Sequence, residues 1–226
     1  MPGKVLLTDD YLFRMIMAGL QTLAKIIGLK TAGQYQEAQE LIDQALEGLF
    51  GMRADLLKRL DDETLFASLM VQGSPDTERI ALAGKFFQEE GDILTSQRDQ
   101  EGGKWSYIRA LNFSLEAALN GKSDDPELKI SITYLVNSLR GIELPPDTAY
   151  GLFCYHEESG YYKGADIILR ALENQLDEKE PIQDERAAYY NRLLQKGDAE
   201  LVEGGFARLQ VVEALNLITQ QKLFGS

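Results

Sequence analysis

The chain has 226 residues, of which 44% are hydrophobic and only 6 are prolines, a composition typical of folded proteins rather than disordered ones. Its formal net charge of −13 disfavours nucleic acid and anionic membrane surfaces as partners, because both repel an acidic protein. One cysteine, Cys154, leaves no intramolecular disulfide, and the opening residues lack the features of a secretory signal, so a cytoplasmic protein is expected.

The N-terminal segment predicts a helical hairpin. Apolar residues recur every three or four positions over residues 12–27, after Thr8, which is a suitable N-cap. A short polar turn follows in which Gly33 can adopt the left-handed conformation that ends a helix. A second periodic run covers residues 35–49, so the hairpin is expected over about residues 8–50.

Helical periodicity continues along the rest of the chain, and strand alternation is almost absent. A long helix is expected to begin near Asp76, a good N-cap. The polar stretches QRDQEGGK (97–104) and DEKEPIQDE (177–185) are predicted to be a loop and a break. Roughly ten helices with short connections predict an all-α bundle or solenoid. The expected helices lie near residues 61–70, 76–95, 105–120, 125–140, 148–158, 161–176, 185–196 and 207–223.

A Tyr-x-x-Ala-x6-Ala pattern recurs at the start of several predicted helices. The alanines are small enough to let a paired helix approach closely, and the tyrosine ring can pack across the mouth of the hairpin. In the third copy the second alanine, Ala171, comes one position early. The other members of the pattern are Tyr35, Ala38 and Ala45, then Tyr107, Ala110 and Ala117, then Tyr162 and Ala165.

These segments resemble the second helix of tetratricopeptide repeats, whose consensus unit has about 34 residues. Residues 149–172 resemble nearly a whole repeat with a hinge glycine at Gly160, although Phe153 replaces the usual small residue and His156 the usual aromatic one. The resemblance implies an irregular tetratricopeptide-like α-α superhelix, a right-handed stack of antiparallel hairpins. One domain is expected over residues 1–226, with hairpin-like units near 8–50, 76–121, 146–176 and 184–223.

Two further interpretations accompany this resemblance. The opening segment, from Asp9 to Met52, also resembles the start of an uncharacterised family of bacterial helical-repeat proteins, which implies the same fold and brings no assigned activity. Alternatively, tyrosine and alanine at helical spacing are core residues of an unrelated helical bundle. Both interpretations predict an all-α protein.

Motifs for cofactor and metal chemistry are not found. The Cys-x-His pair, Cys154 and His156, points to different sides of a helix and lacks the further ligands that zinc needs, so both residues are interpreted as structural. The tripeptide Gly121 to Ser123 lacks the upstream glycine of a phosphate-binding loop. No metal and no cofactor are therefore expected.

Clustered carboxylates are the one feature that would suit an enzyme. Three groups have the residue types for acid and base catalysis. They are Glu89, Glu90 and Asp92, then Asp61 to Glu63, then Glu157 with Glu158. Because glutamate-rich helical proteins place most carboxylates on solvated faces, we interpret all three groups as surface charge. A carboxylate-based hydrolase or lyase remains the alternative.

The concave groove of a tetratricopeptide-like stack is the expected partner site. The resemblance places Asp147, Tyr150, Cys154 and Glu157 in that groove, where acidic and aromatic side chains would suit a basic or aromatic-containing protein or peptide. The groove could instead be filled by the protein's own helices. The sequence thus predicts a non-enzymatic protein-binding or peptide-binding adaptor.

The first helix offers a second surface. Its apolar side chains form more than a single stripe, since Tyr11, Phe13, Met17 and Ile26 lie off the main face. Either other helices of the same chain or a second subunit must bury these side chains, and a homodimer contact is predicted there. A purely structural homo-oligomer is a further alternative to the adaptor. Charged residues within this segment disfavour a membrane span.

Overall fold

The computed structural model describes the backbone of residues 3–122 and 124–224, and the side chains of residues 11–121 and 124–220. Within these ranges the chain forms twelve α-helices, one π-helical turn and one two-stranded hairpin. The all-α fold is thereby confirmed. The chain divides into two compact units, Met1–Ile142 and Glu143–Ser226. The single domain expected from the sequence stays a prediction, and each unit is described by itself.

The first unit is built from two long helical hairpins. Helix α1 pairs with α2, and α5 pairs with α6, while α7 packs against α6. The elements in chain order are α1 (Gly3–Thr31), α2 (Tyr35–Phe50), α3 (Ala54–Leu57), α4 (Asp62–Ser68), β1 (Met70–Val71), β2 (Ser74–Pro75), α5 (Thr77–Ser96), α6 (Gln100–Ala117), a π-helical turn (Ala118–Lys122) and α7 (Pro126–Ser138).

Helix ends in this unit follow the predicted signals in most places. Gly33 has a φ of 75°, the left-handed conformation expected after α1. Asp76 caps α5, its carboxylate accepting the Arg79 N–H at 3.2 Å. The predicted start of α1 is wrong, because the helix begins at Gly3 and Thr8 lies inside it.

Residues 97–104 are not the predicted loop, because α6 already begins at Gln100. Its two glycines serve close packing: a Cβ on Gly103 would lie 2.4 Å from the Thr95 Oγ1 atom of α5. Similarly, a Cβ on Gly91 of α5 would lie 2.5 Å from the ring of Tyr107. The turn between α5 and α6 is therefore only three residues long. Of the two glycines that suggested a loop, Gly103 lies where the two backbones approach, and Gly102 lies against the carboxylate of the capping residue Asp99.

A small sheet, two short helices and one helix boundary also differ from the sequence-based expectations. Residues 70–75 form a short antiparallel hairpin whose turn residues, Gln72 and Gly73, both have positive φ. Helix α3 and a later short helix, Asp198–Glu203, were not predicted, because each is too short for its periodicity to be seen. The helix Glu180–Leu194 begins inside the predicted break, since Pro181 is well tolerated in a first helical turn.

The core of the first unit is organised around Phe113 of α6. Its ring centroid lies 4.5 Å from that of Phe66, 5.2 Å from that of Phe87 and 6.1 Å from that of Phe50. These rings come from α2, α4 and α5, so one aromatic side chain connects four helices. Such aromatic pairs add about 0.5–1.5 kcal/mol each beyond the area that they bury.

The second unit contains five helices and its own core. They are α8 (Pro146–Glu158), α9 (Tyr162–Gln175), α10 (Glu180–Leu194), α11 (Asp198–Glu203) and α12 (Arg208–Phe224). Helices α8 and α9 form an antiparallel hairpin, with Gly160 at a φ of 74° in the turn, and α10 packs against α12. Phe153, Tyr189, Tyr190 and Phe206 form a continuous aromatic row within the core.

The residues of the recurring pattern occupy related places, with two exceptions. Tyr35 and Tyr162 are the first residues of α2 and α9, whereas Tyr107 lies well inside α6. The second exception is Ala171, which is exposed. The small residues that do face a neighbouring helix are fully buried, and they are Ala38, Ala110, Ala117 and Ala165, while Ala45 is half-buried.

Helix α1 exposes much of its apolar surface. Within it, Tyr11–Thr31 is long and apolar enough to cross a membrane by length and composition, but a single such helix near the N-terminus is weak evidence for a span. Of the four apolar side chains off the main face, Ile26 is fully buried in the part of α1 that packs on neighbouring helices, as one of the two expected arrangements requires. Tyr11, Phe13 and Met17 are exposed.

Candidate functional site

An open groove with a volume of about 1000 Å³ lies in the second unit. Its walls come from α8, the α8–α9 turn, the start of α9, and parts of α10 and α11. The lining is rich in two kinds of side chain, aromatic rings and charged groups. The aromatic ones are Tyr150, Phe153, Tyr161 and Tyr162, and the charged ones are Glu157, Glu158, Glu185, Arg192, Lys196, Glu200 and Glu203.

Three of the four side chains predicted to line a partner groove come together here. Tyr150, Cys154 and Glu157 all lie along α8 and face this groove. Asp147 is exposed in the first turn of the same helix and is not part of the lining. The residues from α10 and α11 were missed, because no motif in the sequence connects those helices with α8.

Two exposed tyrosines form aromatic platforms on a rigid base. The Tyr150 ring is 43% exposed and packs on Phe153, with the ring centroids 5.5 Å apart. Tyr161 is 55% exposed and packs on His156 at 5.0 Å in an edge-on arrangement. Because each ring contacts a more buried one, both present apolar surface to solvent with little freedom to lose on binding.

One arginine connects two walls of the groove. The Arg192 guanidinium of α10 donates to both carboxylate oxygens of Glu157 at 2.7 and 2.8 Å, and to Glu185 at 2.8 Å. The two parallel hydrogen bonds to Glu157 form a bidentate ion pair, which is the strongest kind. They raise the pKa of Arg192 above its ordinary value. This interaction fixes α10 relative to α8.

A second ion pair lies at the α11 side of the groove. Lys196 lies 2.9 Å from Glu200, whose carboxylate also accepts the Tyr162 hydroxyl at 2.6 Å. These hydrogen bonds lower the pKa of Glu200, the tyrosine contributing most. Glu158 and Glu203 have no hydrogen bond or ion pair from their side chains to any described residue.

The groove as a whole is acidic. Its lining has five carboxylates and two cations, which leaves a net formal charge of −3. This local excess agrees in sign with the charge of the whole chain. A cationic ligand is therefore favoured over an anionic one by the electrostatic field in the groove.

Neither Cys154 nor His156 is prepared for nucleophilic catalysis. Burial raises the pKa of the Cys154 thiol, and the nearby carboxylates of Glu157, Glu185 and Glu158 raise it further, so the thiol stays protonated. Burial lowers the pKa of His156, which keeps its imidazole neutral against the backbone of Gly164. Both residues act here as packing groups.

A buried polar cluster in the second unit joins α9 to α10. Asp166 is 2% exposed and accepts hydrogen bonds from the Tyr190 hydroxyl and from Arg170 Nε. Burial alone would raise the pKa of Asp166, but these two donors together lower it. Nearby, the Tyr189 hydroxyl donates to the carbonyl of Tyr162 at 2.6 Å, which anchors the first turn of α9 to α10.

The first unit contains two of the three carboxylate groups that were interpreted as surface charge, and for two of their residues this interpretation is wrong. Glu89 and Glu90 of α5 are each only 7% exposed. Glu89 lies 2.5 Å from Lys30 Nζ of α1, and Asp92 lies 2.6 Å from the same atom. Asp92 also accepts the hydroxyls of Tyr107 at 2.8 Å and Tyr134 at 2.6 Å. The partners come from distant parts of the sequence, which explains why periodicity could not reveal the burial.

Glu90 faces a different set of groups. It accepts hydrogen bonds from Ser106 of α6 at 2.9 Å and from Gln39 of α2 at 3.3 Å, with Lys58 at 3.8 Å. Burial raises the pKa of both Glu89 and Glu90, more than these partners lower it. Glu89 and Glu90 thus contact side chains of different helices and have no common partner.

The remaining candidates have structural positions. Asp61 caps α4 by accepting the Thr64 N–H at 2.7 Å, and Asp62 binds Arg109 at 2.8 Å and Asn112 at 2.7 Å. Glu63 is exposed. Within the side chains that the structure describes, no group of three histidine, cysteine or acidic residues is arranged to hold a metal. Of the tripeptide Gly121 to Ser123, Gly121 lies in the π-helical turn and Ser123 lies outside the described residues.

Fold and groove define an all-α protein of paired helices with an acidic, aromatic-lined groove in its second unit. The chain belongs to the family of unknown function DUF6483, whose model matches residues 6–222. The expectation of an uncharacterised family is thereby confirmed. No curated protein and no solved structure matches the chain.

Proposed function

We propose that this protein is a non-enzymatic adaptor of the tetratricopeptide-like type, which binds a segment of another protein in the groove of its second unit. The observation that carries the proposal is the pair of exposed tyrosines, Tyr150 and Tyr161, on the walls of an open groove of about 1000 Å³. Exposed, well-supported aromatic rings in a concave surface are typical of peptide-binding sites.

The arrangement of the groove also resembles that of a tetratricopeptide hairpin. Its walls include α8, which takes the place of a first helix, and the turn at Gly160 that leads into α9. In such repeats the first helices supply the contact surface. The open groove, with a volume of about 1000 Å³, supports access for a partner segment.

The alternative of a carboxylate-based hydrolase or lyase would draw on Glu89 and Glu90. Each of these carboxylates binds a side chain from a different helix, Lys30 in one case and Ser106 in the other. Neither lines the groove. This separation favours a scaffolding role for the two residues over paired acid and base catalysis.

The proposal is tested by selection from a library of random heptapeptides displayed on phage, panned on the immobilised full-length chain. Peptides that depend on the groove are identified by binding to a Tyr150→Ala/Tyr161→Ala double variant, for which the affinity is expected to fall roughly tenfold or more. The matched control is Ile167→Ala, an exposed apolar residue of α9 outside the groove lining, which should leave the affinity unchanged. A selection that yields no groove-dependent peptide, with all proteins folded by circular dichroism, would contradict the proposal.

A further inference from the structure

The groove already contains two cationic side chains of the chain itself, and their contacts show which groups of the lining bind positive charge. Arg192 binds Glu157 and Glu185, and Lys196 binds Glu200 and lies 5.9 Å from the centroid of the Tyr162 ring. Each resident cation thus has a carboxylate partner, and Lys196 also has an aromatic face. Cation and ring attract each other through the ring's quadrupole.

Two carboxylates of the lining are left over from this pairing. The side chains of Glu158, at the end of α8, and Glu203, at the end of α11, are exposed and have no ion pair to a described residue. The residue after Glu203 packs against the α8–α9 turn, since a Cβ on Gly204 would lie 2.7 Å from the Gly160 carbonyl oxygen. The Gly204 carbonyl also accepts the Lys163 N–H of the first turn of α9 at 2.8 Å. Both unpaired carboxylates therefore lie near that turn, as does the exposed ring of Tyr161.

We infer that the partner segment presents a lysine or arginine side chain, which enters the groove beside the α8–α9 turn, pairs with Glu158 and Glu203, and stacks on Tyr161. This inference rests on the proposed function, because it assigns the chemistry of the ligand in the same groove. Its basis is charge complementarity: the lining has a net formal charge of −3, and the unpaired carboxylates lie next to an exposed aromatic face. A neutral or acidic segment would leave both carboxylates without a partner.

The test uses the groove-dependent heptapeptides from the phage selection, synthesised with a fluorescent label, and measures Kd by anisotropy with the full-length chain. Each lysine-containing peptide is compared with the same peptide carrying acetyl-lysine, which keeps the methylene stem of the side chain and removes its charge. We expect lysine or arginine in the selected sequences and a roughly tenfold weaker Kd after acetylation, since two ion pairs and one cation–aromatic contact are lost.

A charge-matched pair of variants assigns the effect to the groove. Glu158→Gln/Glu203→Gln should weaken binding of the lysine peptide roughly tenfold while leaving the acetylated peptide unchanged. Glu143→Gln/Glu178→Gln removes the same charge from two exposed residues of the second unit outside the lining, and should leave both affinities unchanged. All four positions are exposed, and thermal melting monitors the fold of each variant.

The outcomes separate this inference from the proposal beneath it. The inferred cationic ligand would be overturned, and the adaptor left in place, by peptides that bind less tightly to the Tyr150→Ala/Tyr161→Ala variant but contain no basic residue. The same conclusion would follow if the affinity of these peptides changed neither on acetylation nor in the Glu158→Gln/Glu203→Gln variant. Peptides that ignore both the tyrosine and the glutamate variants would overturn the proposed function, and the inference with it.

Discussion

At the residue scale, the second unit depends on one buried carboxylate that has three polar partners. Asp166 accepts hydrogen bonds from Tyr190, Arg170 and Lys163, and it joins α9 to α10. A carboxylate that is 2% exposed is tolerated only because its oxygens accept charge-assisted hydrogen bonds. The ionised form of Asp166 is therefore part of the folded structure.

Replacing this carboxylate tests its contribution and its pH dependence. Asp166→Asn should lower the free energy of unfolding at pH 7 by about 1.5–3 kcal/mol, the range for hydrogen bonds to a charged group. Because the folded-state pKa of Asp166 is lowered, its stabilisation is complete above the ordinary aspartate pKa of about 3.9 and is lost as the pH falls through the folded-state value. The difference in the free energy of unfolding between the wild type and Asp166→Asn, measured by urea unfolding, should thus become smaller from pH 7 to pH 3.5.

The control for this prediction is Asp177→Asn, which removes the same charge at an exposed position in the connection between α9 and α10. It should change stability by less than about 0.5 kcal/mol at either pH. If the difference in the free energy of unfolding between Asp166→Asn and the wild type stayed constant across this pH range, the charge of Asp166 would not be what stabilises the helix pair.

Glu90 in the first unit should show the opposite pH dependence. Burial raises its pKa, and the charged groups around it are Lys58, Asp43 and Arg109. The folded state therefore binds the proton of Glu90 more tightly than the unfolded state does. Stability from this residue is largest below the ordinary glutamate pKa of about 4.3 and declines as the pH rises through the raised value.

The Glu90→Gln variant isolates this effect, because glutamine keeps an acceptor for the Ser106 hydroxyl and does not titrate. Relative to the wild type, its free energy of unfolding should increase between pH 4.5 and pH 7. The exposed Glu63→Gln serves as the comparison and should show no such trend. A relative stability of Glu90→Gln that decreases toward pH 7 would mean that pairing with Lys58 outweighs the cost of burial.

At the element scale, the pairing of α5 with α6 is set by a glycine and a tyrosine. The ring of Tyr107 lies where a side chain on Gly91 would be, and its hydroxyl reaches Asp92 in the next position of α5. Helices can approach this closely only where one of them lacks a Cβ atom. The recurring tyrosine therefore does pack across a hairpin, but from the middle of its helix.

This packing is tested by a pair of glycine substitutions. Gly91→Ala should lower the free energy of unfolding by about 1–3 kcal/mol, because the new methyl group would lie 2.5 Å from the Tyr107 ring. Gly48→Ala in α2 introduces the same group where no atom lies within 4 Å, so it should raise stability by about 0.5–1 kcal/mol through helix propensity alone. If Gly91→Ala and Gly48→Ala changed the free energy of unfolding by the same amount in thermal unfolding, close packing at Gly91 would be refuted.

The helices themselves could be predicted from the sequence, because their apolar periodicity is local. The burial of Glu89 and Glu90 could not, since the partners of these residues include Lys30, which is far away in sequence. Glycine was the misleading residue in α6: Gly102 and Gly103 gave a loop signal, although Asp99 caps the helix just before them by accepting the Gly102 N–H at 2.9 Å. Turn propensity and close helix packing select the same residue for different reasons.

The groove was partly predictable for a related reason. Tyr150, Cys154 and Glu157 follow from helical spacing along α8, once that helix is aligned with the first helix of a repeat. Arg192 and Glu203 contribute to the same lining through the fold of α10 and α11, which the sequence pattern does not connect with α8. Local spacing thus predicts one wall of a groove, and the opposite wall requires the tertiary structure.

At the scale of the whole molecule, the exposed face of α1 still predicts self-association. Phe13 is 64% exposed, Met17 is 42% exposed, Leu20 is 40% exposed and Ile27 is 43% exposed, and their spacing places these four side chains in an exposed apolar stripe along one side of the helix. Tyr11 is 65% exposed and lies on another side of the helix. Burial of apolar surface yields about 25 cal/mol per Å², which favours covering such a face with another copy of the chain. The homodimer stays a prediction.

Sedimentation equilibrium at micromolar concentration provides the measurement. We expect a dimer for the wild type and a shift to monomer for Phe13→Glu, because the dimer would have to bury the new charge without a partner. Ile130→Glu is the matched control, since Ile130 is 69% exposed on α7 and its replacement adds the same charge elsewhere in the first unit. A monomeric wild type, or equal dissociation in both variants, would exclude α1 as the dimer contact. In a monomer, the exposed face of α1 would be free to contact a different molecule while the groove of the second unit holds its ligand.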